Sequence, residues 1–221
     1  MDPKGKTALL TGGARIGQEV ARALAARGCH LALTYRESRD TAEETAAAVR
    51  LLGARAEVLR ADVTDETQVT AAVADTVRLL GGIDILINMA STYVHTATCR
   101  LGMKSWTDAI DSNARSAFLF SVKAAPFMKK AGAGRIINFS DWIAVSGRPR
   151  YEGYAPYYVA KKAVDGLTEA LALEFAPDIL VNAVAPGPIL APADLSDEDN
   201  AKVLAATPLR RWGGAGEISR A

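Results

Sequence analysis

Two tyrosine–lysine pairs at helical i,i+4 spacing, Tyr157/Lys161 and Tyr158/Lys162, fall in the stretch SDWIAVSGRPRYEGYAPYYVAKK, residues 140–162. The helical pattern that follows separates them. Val164, Leu167 and Leu171 continue the face of Tyr157 and Lys161, so that pair points inward with the apolar stripe. Tyr158 and Lys162 share a face with Asp165 and Glu169, which reads as solvent-facing. A lysine on a buried stripe is costly unless it has a partner, and this asks for a chemical explanation. A phenol ordinarily titrates near about 10, too high for proton transfer at neutral pH. An ammonium fixed four residues on would favour the phenolate and lower that value. Such a pair serves as a general acid/base toward a carbonyl or carbinol oxygen.

Positioning that pair requires a frame, and the chain supplies an alternating one. Apolar strands are expected at Thr7–Thr11, His30–Tyr35, Ala56–Arg60, Ile83–Asn88, Arg135–Phe139 and Ile179–Val184. Helices are expected between them: from the first glycine-rich turn to Arg27, Arg39–Leu52, Glu66–Leu80, Trp106–Lys130, and the segment carrying Tyr157 through Phe175. This rhythm predicts a single α/β domain over residues 1–221, a doubly wound parallel sheet of Rossmann type. Right-handed crossovers then gather every strand's carboxyl end on one edge.

The unusual residues stand at those ends. After the first strand comes Thr11-Gly-Gly-Ala-Arg-Ile-Gly17, a turn that lets backbone approach a pyrophosphate at a helix N-terminus. After the second comes Tyr35-Arg36, where a binder of a ribose 2′-hydroxyl would carry an acid; Arg36, helped by Arg15, suits the 2′-phosphate of NADP. Asp62-Val63 follows the third strand, near the adenine edge. Asn88-Met-Ala-Ser-Thr-Tyr93 ends the fourth, Ser140-Asp141 the fifth and Pro186-Gly187-Pro188 the sixth.

The combination of Thr11-Gly12 with Gly17, Asp62, Asn88-Met-Ala90, Asn113, Tyr157-x-x-x-Lys161 and Pro186-Gly187 resembles the short-chain dehydrogenase/reductase family over nearly the whole chain. The resemblance implies hydride transfer between a nicotinamide and a carbonyl, imine or alcohol carbon. It makes Tyr157 the acid, with Lys161 lowering its pKa and holding the nicotinamide ribose, and Asn113 the residue steadying a relay water. Asn113 also reads as a helix-start residue capping its own turn. The implied NADP(H) contacts are Thr11, Gly12, Arg15, Ile16, Gly17, Tyr35, Arg36, Asp62, Val63, Asn88, Ala90, Ser91, Lys161, Pro186, Gly187 and Ile189. Residues 188–210 would form a substrate lid, and a dimer or tetramer is implied.

Three departures qualify the match. Alanine stands at position 144, thirteen residues before the tyrosine, where the family has serine; counted from the strand end, Asp141 takes the serine's place. An aspartate there resembles the pteridine reductases of the family, as do Arg15 in the first turn, Ser91, and the aromatic Tyr93. Asp141 and Ser140 remain rival candidates for the serine's role, with Tyr93 and Trp142 as substrate contacts. Gly12 and Gly17 are one residue closer than the family spacing. The chain stops at Ala221, where family members continue into a seventh strand.

Composition excludes several other classes. With 49% hydrophobic residues, 23% charged residues and a net charge of +1, the 221-residue chain is ordinary for a globular domain and offers no basic face to nucleic acid or membrane. Two cysteines and two histidines cannot build a disulfide framework or a metal cluster. The polar N-terminus and the lack of a long apolar run suggest a cytoplasmic protein. The reading is an NADPH-dependent reductase of a small carbonyl or imine compound, with a pteridine-like compound as one candidate. A 3-oxoacyl-carrier-protein reductase is the enzymatic alternative. A nucleotide-sensing or scaffold protein on the same fold is the non-catalytic one.

Overall fold

The computed structural model describes residues 1–146, 152–192 and 195–221. In chain order its elements are β1 (Thr7–Thr11), α1 (Ile16–Ala26), β2 (His30–Tyr35), α2 (Arg39–Leu51), β3 (Ala56–Arg60), α3 (Glu66–Leu80) and β4 (Ile85–Asn88). Then follow α4 (Met103–Ile110), α5 (Ser116–Lys130), β5 (Gly134–Phe139), α6 (Trp142–Val145), α7 (Ala155–Glu174), β6 (Ile179–Val184), α8 (Asp197–Ala206) and α9 (Ala215–Arg220). The six strands form one parallel sheet in the order β3-β2-β1-β4-β5-β6.

The strands read as continuous apolar runs because helices cover both faces of the sheet. Alternate residues serve opposite layers. Ala8 and Leu10 of β1 pack with Val20, Ala21 and Val49 of α1 and α2. Leu9, between them, packs with Val69 and Val73 of α3 and Phe120 of α5 on the other face. Fully burying each of the Leu, Val and Phe side chains among these stabilises by about 1.5–3 kcal/mol. Strand order reverses between β1 and β4, and the crevice beyond their carboxyl ends is where this architecture places ligands.

Several local expectations change. The fourth strand starts at Ile85, since Asp84 turns its carboxylate back to Lys6 and to the Thr7 amide. The helix expected over 106–130 begins at Met103 and contains a π-helical turn, Asp111–Arg115, between α4 and α5. Asn113 lies inside that turn and is therefore not a helix-start cap. Residues 188–210 contain α8, capped by Ser196, whose hydroxyl accepts from the Asp199 amide. Among the described residues no seventh strand lies beside β6.

Candidate active site

Both tyrosine–lysine pairs sit at the start of α7, and their burial differs as the stripe predicts. Tyr157 is 7% exposed and Lys161 3%, whereas Tyr158 is half-buried and Lys162 exposed. Val164, Thr168 and Leu171 extend the inward face. Asp165 departs from the expected solvent face: it is half-buried, and its Oδ2 is buried without a hydrogen-bond partner.

The loop after β5 meets this helix. Asp141 is the N-cap of α6, an aspartate's favoured place, and its Oδ1 accepts from the Ile143 amide at 3.0 Å. Its other oxygen, Oδ2, accepts from the Tyr157 hydroxyl at 2.6 Å. One side chain thus caps a helix and holds the phenol. Ser140 also lines the cavity but is 4% exposed, its hydroxyl directed at the Lys161 carbonyl at 3.4 Å. Trp142 lies between them and the loop after β6, its amide donating to the Pro186 carbonyl at 3.0 Å and its ring facing Gly187.

The electrostatics overturn one expectation. Burial, then the Asp141 charge and its hydrogen bond, push the Tyr157 phenol well above its ordinary value, with a smaller opposing effect of the Ser91 hydroxyl. The net shift is upward where a lowering by Lys161 was expected, so Tyr157 is a neutral hydrogen-bond donor. Burial also pulls the Lys161 ammonium down to about 8, against the opposing charges of Asp141 and Asp165. Lys161 Nζ donates to the Phe139 carbonyl at 2.8 Å and sits 5.6 Å from the centre of the Tyr157 ring. It is poised to compensate a phenolate once the proton has left.

The end of β4 contributes a polar link and an aromatic wall. Ser91 donates to Asn113 Oδ1 at 2.6 Å, while Asn113 Nδ2 donates to the Ala109 and Thr92 carbonyls. Tyr93 stacks on Tyr154 with centroids 4.2 Å apart and planes 10° from parallel, and meets Tyr157 edge-on at 4.8 Å. His95 meets Tyr154 in a T-shaped contact, with centroids 5.4 Å apart. Tyr154 has no place in the sequence reading. Its signal was its position one helical turn before Tyr157.

A cavity of about 960 Å³ runs from this wall to the ends of β1 and β2. Of the expected cofactor contacts, Gly12, Arg15, Ile16, Tyr35, Arg36, Val63, Ala90, Ser91, Lys161, Pro186, Gly187 and Ile189 line it. Thr11, Gly17, Asp62 and Asn88 do not line it, and neither does Asn113, the expected relay residue. The Thr11 hydroxyl accepts from the Met89 and Ala90 amides, both at 3.1 Å. Asn88 Nδ2 donates to Asn138 Oδ1, and Asn138 Nδ2 donates to the Thr168 hydroxyl, a buried chain joining β4, β5 and α7. Asp62 accepts from the Thr64 amide and hydroxyl, which hold its carboxyl below the usual range, with a smaller help from Arg36.

The shortened turn has a structural counterpart. Arg15 closes it at φ 55°, ψ −103°, a conformation costing a non-glycine residue about 1–3 kcal/mol. No side chain caps α1, so its N-terminus opens onto the cavity. Arg15 does not join Arg36 as expected; its guanidinium donates to the Leu190 and Ala191 carbonyls at 3.3 and 3.0 Å. Arg36 is half exposed and pairs with Glu37 at 3.4 Å. These residues fit a dinucleotide: Gly12, at φ 69°, lies so close to Ala90 that a Cβ would be 2.6 Å from its Cα, leaving room only for backbone beneath a pyrophosphate.

Comparison with known proteins agrees with this geometry. The family model described as enoyl-(acyl carrier protein) reductase matches residues 13–221. A 3-oxoacyl-(acyl-carrier-protein) reductase of Staphylococcus aureus is 35% identical over 218 residues, 97% of this chain and 87% of the relative. A short-chain dehydrogenase/reductase from Serratia marcescens superposes with a TM-score of 0.91 at 32% identity, over 100% of this chain and 89% of that one. A xylitol dehydrogenase with bound NAD+ superposes with a TM-score of 0.89 at 29% identity, over 100% of this chain and 91% of that one. The chain belongs to the short-chain dehydrogenase/reductase family and is an oxidoreductase of that class. No helix among the described residues is long and apolar enough to cross a membrane.

Proposed function

We propose that the protein reduces a small carbonyl or imine compound with NADPH, and that Tyr157 gives the proton. The observation that carries this is the buried Tyr157 hydroxyl, 2.6 Å from Asp141, facing the cavity beside Lys161. NADPH, when bound, supplies the hydride. Tyr157 donates its proton to the substrate oxygen or nitrogen, and the Lys161 ammonium compensates the charge left on the phenolate. Asp141 holds the Tyr157 hydroxyl in place by accepting its hydrogen bond. Asn113 acts through Ser91, to which it is bonded. Gly12, Ile16, Tyr35, Val63, Ala90, Pro186, Gly187 and Ile189 form the cofactor's bed. Arg36 favours NADP over NAD by its charge at the end of β2. Residues 188–210 serve as the lid. A dimer or tetramer is in keeping with exposed Met103, Trp106 and Phe118.

The substrate readings rest on different observations. Asp141 in place of a serine, with Tyr93 and Tyr154 beside it, favours a flat heterocycle of pteridine type, stacked on an aromatic ring. The likeness to 3-oxoacyl-(acyl-carrier-protein) reductases favours a 3-oxoacyl thioester, and the sequence comparisons support this second reading more than the first. Consumption of NADPH with dihydropteridines, quinones and acetoacetyl thioesters decides between them. Rapid turnover of the thioester with none of any pteridine or flat imine would remove the heterocycle reading. No turnover of any carbonyl or imine would remove both.

A further inference from the structure

We infer that Asp165 is a positioning residue for Lys161, its carboxylate holding the lysine as an ammonium beside Tyr157. The inference rests on the reading that Tyr157 and Lys161 move the proton. Asp165 follows Lys161 by four residues in α7, the spacing at which side chains on one helix meet. Its Oδ2 is buried with no hydrogen-bond partner, a costly arrangement unless the charge acts on something nearby. Lys161 is the buried cation within reach of that effect, and the Asp165 charge opposes the neutralising influence of its burial. The lysine's hydrogen bond goes to a neutral carbonyl, that of Phe139, so the ammonium depends on charges around it.

The surroundings leave few alternatives. α6 offers Asp141 at its head, already committed to the Tyr157 hydroxyl and the Ile143 amide. In α4, Lys104 pairs with Asp108 at 2.6 Å, and in the π-turn Arg115 lies 3.8 Å from Asp111. β5 carries Arg135 at its far end, donating to the Gly134 carbonyl, and β6 carries no titratable side chain. On α7 itself, Tyr157 is neutral. Among the described residues, Asp141 and Asp165 are thus the two charges that oppose the neutralising effect of burial on Lys161, and of these only Asp165 is free of a second task at the phenol.

The test is the Lys161 titration followed by carbon-13 NMR of lysine-labelled protein without cofactor, the resonance assigned by its loss in Lys161→Met. The unaltered protein should titrate near about 8. Asp165→Asn removes the charge and keeps the shape, so the midpoint should fall by about one pH unit. Asp165→Glu should restore it. In turnover, the basic limb of the kcat profile should move to lower pH by the same amount in Asp165→Asn. If Asn does not fold, Asp165→Ser serves in its place. An unchanged Lys161 midpoint in a folded neutral variant overturns the inference, whatever the activity. A shifted midpoint in a protein that turns over no carbonyl or imine supports the charge coupling and sinks the functional reading alone.

Discussion

The two ends of the cavity are made of different material. At the proposed nucleotide end the surface is built on a backbone turn: Gly12 rests on Ala90, the Thr11 hydroxyl fastens the Met89 and Ala90 amides, and α1 presents an uncapped terminus. At the substrate end it is side chain: Asp141, Tyr157, Tyr93, Tyr154 and Trp142 stand on a helix start and on loops. Backbone recognises what every dinucleotide shares and leaves little room for substitution. Side chains on loops can change while the frame stays, which is how one fold serves many substrates.

That contrast is tested hardest at Tyr157, the group proposed to give the proton. Tyr157→Phe keeps the ring against Tyr93 and removes the proton, so kcat should fall by at least about a hundredfold. Tyr158→Phe, on the outer side of the helix, should be nearly silent. Steady-state kinetics on both variants checks this, and a dead Tyr158→Phe would assign the chemistry to the other pair.

The nucleotide end should fail differently. Gly12→Ala must place a Cβ 2.6 Å from the Ala90 Cα at a positive φ, so backbone has to move. A loss of about 2 kcal/mol in stability or cofactor binding is expected, read as a lower Tm and a weaker NADPH Kd. Tolerance of alanine there would mean that the turn is not the rigid half of the comparison.

Much of the frame was legible because its signals are local. Apolar runs marked all six strands, and the stripe through Val164 and Leu171 picked Tyr157 over Tyr158 before any coordinate. What escaped depends on distances across the fold. The π-turn around Asn113 arises where the α4–α5 run takes an extra residue per turn, which periodicity over 106–130 does not register. Arg15's reach to Leu190 and Ala191 spans 175 residues of chain or more. The upward shift of Tyr157 was missed because it requires Asp141 at 2.6 Å, and spacing in sequence could not choose between Asp141 and Ser140. Tyr154 was invisible as a site residue for the same reason: its partner Tyr93 comes from another strand end.

A smaller effect is expected where the two materials meet. Arg36 is a side chain set on the backbone end of the cavity, half exposed and already paired with Glu37. Arg36→Asp should lower the preference for NADPH over NADH by about tenfold, equivalent to about 1.4 kcal/mol. Kd values for both cofactors in both proteins check it. Equal affinity of the unaltered protein for the two would show that Arg36 does not select.

The smallest effect should come from Tyr93, and it separates the substrate readings. Tyr93 is 49% exposed as a residue, and its ring stacks on Tyr154 and meets Tyr157 edge-on. An aromatic contact of this kind is worth about 0.5–1.5 kcal/mol, or roughly two- to tenfold in binding. A flat heterocycle would use that ring directly, so Tyr93→Ala should raise its KM by that factor with kcat little changed. A short-chain thioester gains nothing from stacking and should lose less. Comparison of KM for a dihydropteridine and an acetoacetyl thioester, in the parent and in Tyr93→Ala, supplies the measurement. Were the two substrates to weaken equally, the aromatic wall would be packing for Tyr157 and not a surface that reads the substrate.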